Sequence, residues 1–333
     1  MKGVSYEKTL KTVSVILSAA LTVFSASTVT AAAVTDGEND IEKRELTAYL
    51  YNTEDTKKIE CLFTPELPDV PYIEATDYLT NVYDVAFTET MNNDGTFTIA
   101  HPKSSMKVDV EHDTVSYDSF ENFITIDGKS EGTMLDAPFI KTLDVSLEGE
   151  QNAVTFDLGK YDIDVISVDN KVYFPLNTIN DLFFISYNAA MYVDGNLYFV
   201  HMMNEATNPY VDMSSFYQST ARTPEMIEYT YNEFCFTIDT FYGAPAQSKI
   251  GKLVEEEGFD KALDKYGDDT RAAKRLLKSD NIVDFIFGVC WLNDAFYDGG
   301  HTSLCASIFP PVVCLPFFTS GGRAFVQDQR PRQ

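Results

Sequence analysis

One stretch of the chain has residue types and spacing suited to acid–base chemistry: Leu292-Asn293-Asp294-Ala295-Phe296-Tyr297-Asp298-Gly299-Gly300-His301-Thr302. An apolar helical pattern containing Trp291 runs into the Asp298-Gly299-Gly300 turn, which delivers His301 and Thr302 onto an exposed loop mouth. A histidine in such a position exchanges protons near neutral pH and can act as a general base. A lone loop histidine is also, and more often, only a solvated side chain. The remaining histidines, His101, His112 and His201, stand far apart with no i,i+4 or H-x-H spacing, so they do not read as a metal site. Asp162 and Asp164 alternate as they would along one strand face and could hold calcium, yet no Asp-x-Asp-x-Asp-Gly loop surrounds them, and a solvated face is the simpler reading. The five cysteines, Cys61, Cys235, Cys290, Cys305 and Cys314, are odd in number and lack C-x-x-C spacing, which argues against a zinc site or a disulfide framework. Cys235 and Cys290 fall within apolar helical patterns and are expected to pack as small hydrophobes. No cofactor or metal is expected.

Two kinds of element must position the His301 turn. From about Glu45 to Val200 the chain is rich in Val, Ile, Thr, Tyr and Phe in short runs punctuated by turn residues. Asn93-Asp94-Gly95 precedes Thr96 to Ile99, Asp127-Gly128 follows Phe123 to Ile126, and Asp194-Gly195 separates Met191 to Val193 from Leu197 to Phe199. Asp-Gly between β-formers marks a hairpin, because a type I′ turn needs positive φ. After a polar stretch, Thr223-Pro224 supplies an N-cap and first-turn proline, and Ile227, Tyr231, Phe234, Ile238 and Phe241 recur at helical spacing up to Gly243. Further helices are predicted near Lys249 to Glu257, Phe259 to Tyr266 and Thr270 to Leu277. A last one runs from about Asn281, capped by Asp280, to about Phe296. The expected class is α+β, a β-rich half of short strands and hairpins followed by a mostly helical region.

Composition narrows the partners. The formal net charge of -26 repels nucleic acid and anionic lipid at long range. Lys2, Lys8 and Lys11 precede an apolar run from Val13 to Phe24 and the small residues up to Ala31-Ala32-Ala33, the layout of a cleavable secretory signal. The run falls short of the about 20 apolar residues a membrane span needs, so an uncleaved anchor is the lesser reading and no integral membrane domain is expected after cleavage. The expected organisation is a signal peptide over 1–33, a β-rich domain over 40–203 with two similar modules at about 45–130 and 140–203, and a connection over 204–222. A helical region over 223–304 and an atypical tail over 305–333 complete it. The protein is expected outside the cell or at its envelope. The 24 Phe and 19 Tyr could line a carbohydrate or peptide groove, though their spacing reads first as core.

Two resemblances add to these readings. Pro71-Tyr72-Ile73-Glu74 leads through Tyr78-Leu79 to a hairpin ending at Ile99, and Tyr173-Phe174-Pro175-Leu176 leads through Leu182-Phe183 to one ending at Val200. This repeat of strand, short helix and hairpin resembles copper-amine-oxidase-like N-terminal (stalk) domains, which need no copper. The turn Asp298-Gly299-Gly300-His301-Thr302, with the helices before it, resembles the entry to the catalytic core of tail-specific (C-terminal-processing) serine peptidases, most closely their tricorn-like branch. It carries one extra glycine relative to the commonest form. The resemblance implies that His301 is the general base of an acyl-enzyme mechanism, that Asp298, Gly299, Gly300 and Thr302 shape or orient its turn, and that the substrate is a peptide or protein. It also implies that the nucleophile and oxyanion donors lie well downstream, on an α/β core before which this chain is truncated; Ser303 is too close to His301 to match, and Gly321-Gly322 matches by chance. From Cys305 onward the only acidic residue is Asp328, three of the chain's seven Arg appear, and no Lys does. That change suggests a shifted reading frame, or else an apolar strand followed by a disordered tail. The expectation is thus an exported peptidase-like chain, inactive as it stands, with a non-catalytic surface module that binds envelope polymer or a partner, or serves as a scaffold, as the alternative.

Overall fold

A computed structural model describes residues 41–50, 55–83, 85–124, 153–183, 188–193, 195–201, 221–242, 245–292 and 295–297. The expected signal segment, most of the expected connection, and everything after Tyr297 lie outside the described residues. The class is α+β, with the β-rich part first and the helical part second.

Alternation of apolar and polar residues builds the first hairpin. β1 (Glu42–Leu50) turns Leu46 and Ala48 inward and pairs antiparallel with β2 (Thr56–Phe63), whose Ile59, Cys61 and Phe63 are buried. β2 then pairs with β3 (Tyr72–Glu74), which runs directly into α1 (Ala75–Tyr83). Ala75, Tyr78, Leu79 and Val82 form the inward face of α1 at three- and four-residue spacing. The Asn92 to Gly95 turn, with Gly95 at φ +83°, joins β4 (Thr88–Met91) to β5 (Phe97–His101). β6 (Ser104–Asp109), β7 (Thr114–Tyr117) and β8 (Val154–Asp157) follow as a meander, so β4 to β8 form a five-stranded antiparallel sheet in sequence order.

The second occurrence of the repeat has the same local order. β9 (Ile166–Val168) pairs with β10 (Lys171–Pro175), which enters α3 (Leu176–Phe183); β11 (Asn188–Val193) and β12 (Asn196–His201) follow as a hairpin whose Gly195 sits at φ +76°. The two occurrences meet strand to strand. β3 and β10 are antiparallel, with Ile73 opposite Phe174, in a seven-stranded sheet of order β11-β12-β1-β2-β3-β10-β9. Their hairpins part company: β12 lies parallel to β1 at the far side of this sheet, while β4–β5 begins the other sheet.

Phe123 and Ile124, read from the sequence as strand residues, lie instead in α2 (Phe120–Ile124). The Ser119 hydroxyl accepts the Asn122 N–H (3.3 Å) and its carbonyl accepts that of Phe123 (3.1 Å), a local helix start that outcompetes β propensity. Asp162 and Asp164 are not on a strand either. Asp162, at φ 51°, ends the 3₁₀ turn Gly159–Tyr161, and Asp164 lies in the irregular segment before β9.

α4 (Pro224–Phe241) begins as its sequence predicts, with Thr223 accepting the Met226 N–H (3.2 Å) and Pro224 in the first turn. It is not a one-faced surface helix. Met226, Tyr229 and Phe236 belong to the core of the β-rich part, whereas Tyr231, Phe234 and Ile238 belong to a second core, so the helix is shared by both. The second core is closed by α5 (Gly251–Glu257), α6 (Phe259–Tyr266), α7 (Asp268–Leu277) and α8 (Ile282–Leu292). Asn281, rather than Asp280, caps α8: its side-chain oxygen accepts the Val283 N–H at 2.8 Å. α8 stops at Leu292, whose carbonyl receives both the Ala295 and Phe296 N–H groups. Gly288 permits its close approach to α7, since a Cβ there would lie 2.9 Å from the Leu277 nitrogen and 3.0 Å from the Ala273 oxygen.

Candidate functional site

The turn singled out by its sequence, Asp298, Gly299, Gly300, His301 and Thr302, lies outside the described residues, so the geometry available is that of its approach. Phe296 is 1% exposed and is wedged between Tyr242 (ring centroids 5.2 Å) and Phe259 (5.8 Å). The Ala295 carbonyl accepts the Ile250 N–H at 3.3 Å. One residue later Tyr297 is 58% exposed. The last turn of the helical region is therefore pinned to its core up to Phe296.

The described histidines are held in different ways. His101 is buried, with Phe87 and Phe123 rings edge-on at 5.5 and 5.3 Å, and its Nδ1 accepts the Lys103 N–H. His112 is exposed, and its Nδ1 lies 3.0 Å from Asp109 Oδ2; that hydrogen bond raises its proton affinity. Burial raises the Cys61 thiol, and burial followed by the Asp260 and Asp239 charges pushes Cys235 up to about 12, so neither forms a thiolate nucleophile near neutrality. Cys290 is exposed rather than packed, because it lies on the outer side of α8 with Phe287 and Trp291. Among the described residues no group of three or more His, Cys, Asp or Glu is arranged to hold a metal ion.

Burial also perturbs carboxylic acids that sequence reasoning passed over. Asp181 of α3 and Glu233 of α4 are both buried, at 6% and 0% exposure, and face one another across the contact of the two helices. The Thr237 hydroxyl donates to Asp181 Oδ2 (2.7 Å), and the Thr178 hydroxyl donates to Glu233 Oε1. Glu233 Oε2 is buried without a donor. Burial pushes Asp181 up to about 7; burial and then the neighbouring Asp181 charge raise Glu233 well above the carboxylate range. A second pair joins the sheets. Glu74 caps α1, accepting the Thr76 and Asp77 N–H groups at 3.1 and 2.9 Å, while Glu89 Oε1 of β4 accepts the Val172 N–H of β10 at 2.7 Å. Glu89 Oε2 is buried with no donor, and burial followed by the hydrogen bond to Glu74 pushes Glu89 up to about 8. A signal for Glu233 did exist in the sequence: it is the one charged residue between Tyr229 and Ile238. Glu74 likewise stands as the one charged residue in the run Val70 to Thr76, whereas Glu89, between Thr88 and Thr90, carries no such mark.

No family model matches the chain, and no curated protein or solved structure is significantly similar to it.

Proposed function

We propose that this is an exported protein of serine-peptidase lineage in which the helical part serves as a platform for the Asp298 to Thr302 turn, and that the chain by itself does not hydrolyse peptides. The observation that supports this reading is the fixation of Ala295 and Phe296 on the helical core immediately before the turn. A general base is useful only when its backbone is held within a fraction of an ångström of productive geometry, and such anchoring supplies it from the N-terminal side. His301 is the base in this reading, and a base of that kind acts only on a nucleophile placed against it. Treatment of the purified protein with a serine-directed fluorophosphonate probe is expected to give no label, and casein to remain intact. Labelling of a serine together with casein cleavage would overturn the claim of inactivity. Labelling abolished by His301→Ala would show that the base works within the chain itself.

The outer side of α8 favours a second reading, a non-catalytic binding module. Phe287 and Trp291, one turn apart on that helix, are 48 and 52% exposed on a protein of net charge -26. Retention on peptidoglycan or immobilised peptides, lost on Trp291→Ser, is the result this reading expects.

A further inference from the structure

We propose that the two sheets and the helical part of this protein are fastened by two proton-held carboxyl latches, Asp181–Glu233 between the β-rich part and α4, and Glu74–Glu89 between the two sheets, which grip in mild acid and loosen as pH rises. Two acceptor oxygens cannot satisfy one another, and a buried carboxylate oxygen without a donor is costly. Glu233 Oε2 and Glu89 Oε2 are such oxygens, and each faces a second carboxyl group. Protonation turns that repulsion into a hydrogen bond, which is charge-assisted where the partner carboxyl stays ionised.

Both pairs lie where separate parts of the molecule meet. Asp181 projects from α3, which follows the sheet strand β10, and Glu233 from the helix common to both cores. Glu74 ends β3 in one sheet; Glu89 lies in β4 of the other and bonds the backbone of β10. Among the described residues, no cation acts on Asp181 or Glu233; their electrostatic neighbours are each other and Tyr72 of β3, whose hydroxyl is raised first by burial and also by Glu233. Around the second pair are Lys171 of β10, which favours ionised Glu89, and Asp77 of α1, which Glu74 disfavours and which Lys57 of β2 and Lys171 partly offset. Neither lysine brings Glu89 back to its ordinary range.

The direction follows from the raised proton affinity of the folded state. Asp181 and Glu89 hold protons that the unfolded chain releases near 3.8 and 4.5. Their contribution to stability is complete below those values and is lost as pH rises towards about 7 for Asp181 and about 8 for Glu89. Each excess proton makes unfolding about tenfold more favourable per pH unit across its window.

Urea unfolding of the full chain, followed by circular dichroism from about pH 5 to about pH 8.5, tests the latches. The wild type is expected to lose stability with rising pH. Asp181→Asn and Glu89→Gln should each flatten that dependence by about one proton, and the double variant by about two. Dependences that coincide in wild type and variants, or wild-type stability that climbs across the range, would overturn the proposal. Should the variants not fold, the infrared carbonyl band of protonated carboxyls decides. In the folded wild type at about pH 6 it should persist and then fade with base, and its absence there sinks the idea, because solvated carboxyls are ionised at that pH.

Discussion

Arg222 illustrates how much one side chain can organise here. It is 5% exposed, donates to the Leu277 and Ser279 carbonyls at 3.1 and 2.8 Å, bonds the Thr230 hydroxyl, and lies 4.4 Å over the Phe285 ring. Burial lowers its proton affinity to about 10, which leaves it charged near neutrality. A lysine cannot reach three acceptors and stack at once, so Arg222→Lys is expected to cost about 2 kcal/mol or more in urea unfolding, from carbonyls left unpaired at the end of α7. Thiol chemistry provides a second check at this scale. With the raised thiols of Cys61 and Cys235 shielded by burial, mass-mapped alkylation of the folded protein should label Cys290 and reach those two only after denaturant is added.

At the scale of elements, the joints matter more than the elements themselves. Asp239 near the end of α4 receives the Tyr161 hydroxyl (3.1 Å) from the β-rich part and the Phe259 N–H (2.6 Å) from the start of α6. Gly258 lies against this carboxylate at φ +83°, and a Cβ there would lie 3.1 Å from Asp239 Oδ2. Gly258→Ala should therefore destabilise by more than the about 1 kcal/mol of backbone strain alone, as a lower urea midpoint would show. Thr223→Ala, which removes only the N-cap bond, should cost about 1 kcal/mol. The beginnings and ends of helices were legible where capping chemistry is local: Thr223-Pro224 marks the start of α4, and α6 runs from Phe259 to Tyr266 as its spacing implied. What could not be read was the environment of α4. Periodicity reports one apolar face, and only tertiary packing revealed that the adjoining flank, with Thr230, Glu233 and Thr237, is buried too.

For the molecule as a whole, the α+β order and the hairpins at Gly95 and Gly195 were written in Asp-Gly turns and helix caps, whereas the sheet to which each hairpin would go was not; the Asp127-Gly128 turn lies outside the described residues. Nothing local to Met191–Phe199 distinguishes it from Thr90–Ile99, yet one joins β1 and the other founds a new sheet. The acid pairs were hidden for a similar reason, since Asp181 and Glu233 come together only through the α3–α4 contact. Phe296→Ala tests whether the helical core holds the approach to the His301 turn. It should cost about 3 to 5 kcal/mol in urea unfolding, with Trp291 fluorescence reporting the helical part.

The parallel pairing of β1 with β12 bears on the order in which the chain can assemble. Thr47 has its sheet neighbour at Asn196, and β1 stands between strands drawn from both ends of the β-rich half. An N-terminal stretch emerging alone from a ribosome holds β1 and β2 but not the strand that closes the other side of β1. Completion of that sheet must wait until residue 201 is available, and closure over so long a separation is slow. The nascent half-sheet would in that interval expose an unpaired β1 edge, which other chains can occupy. Refolding from urea should accordingly show the β-rich part forming in one late step, with aggregation rising with protein concentration before it.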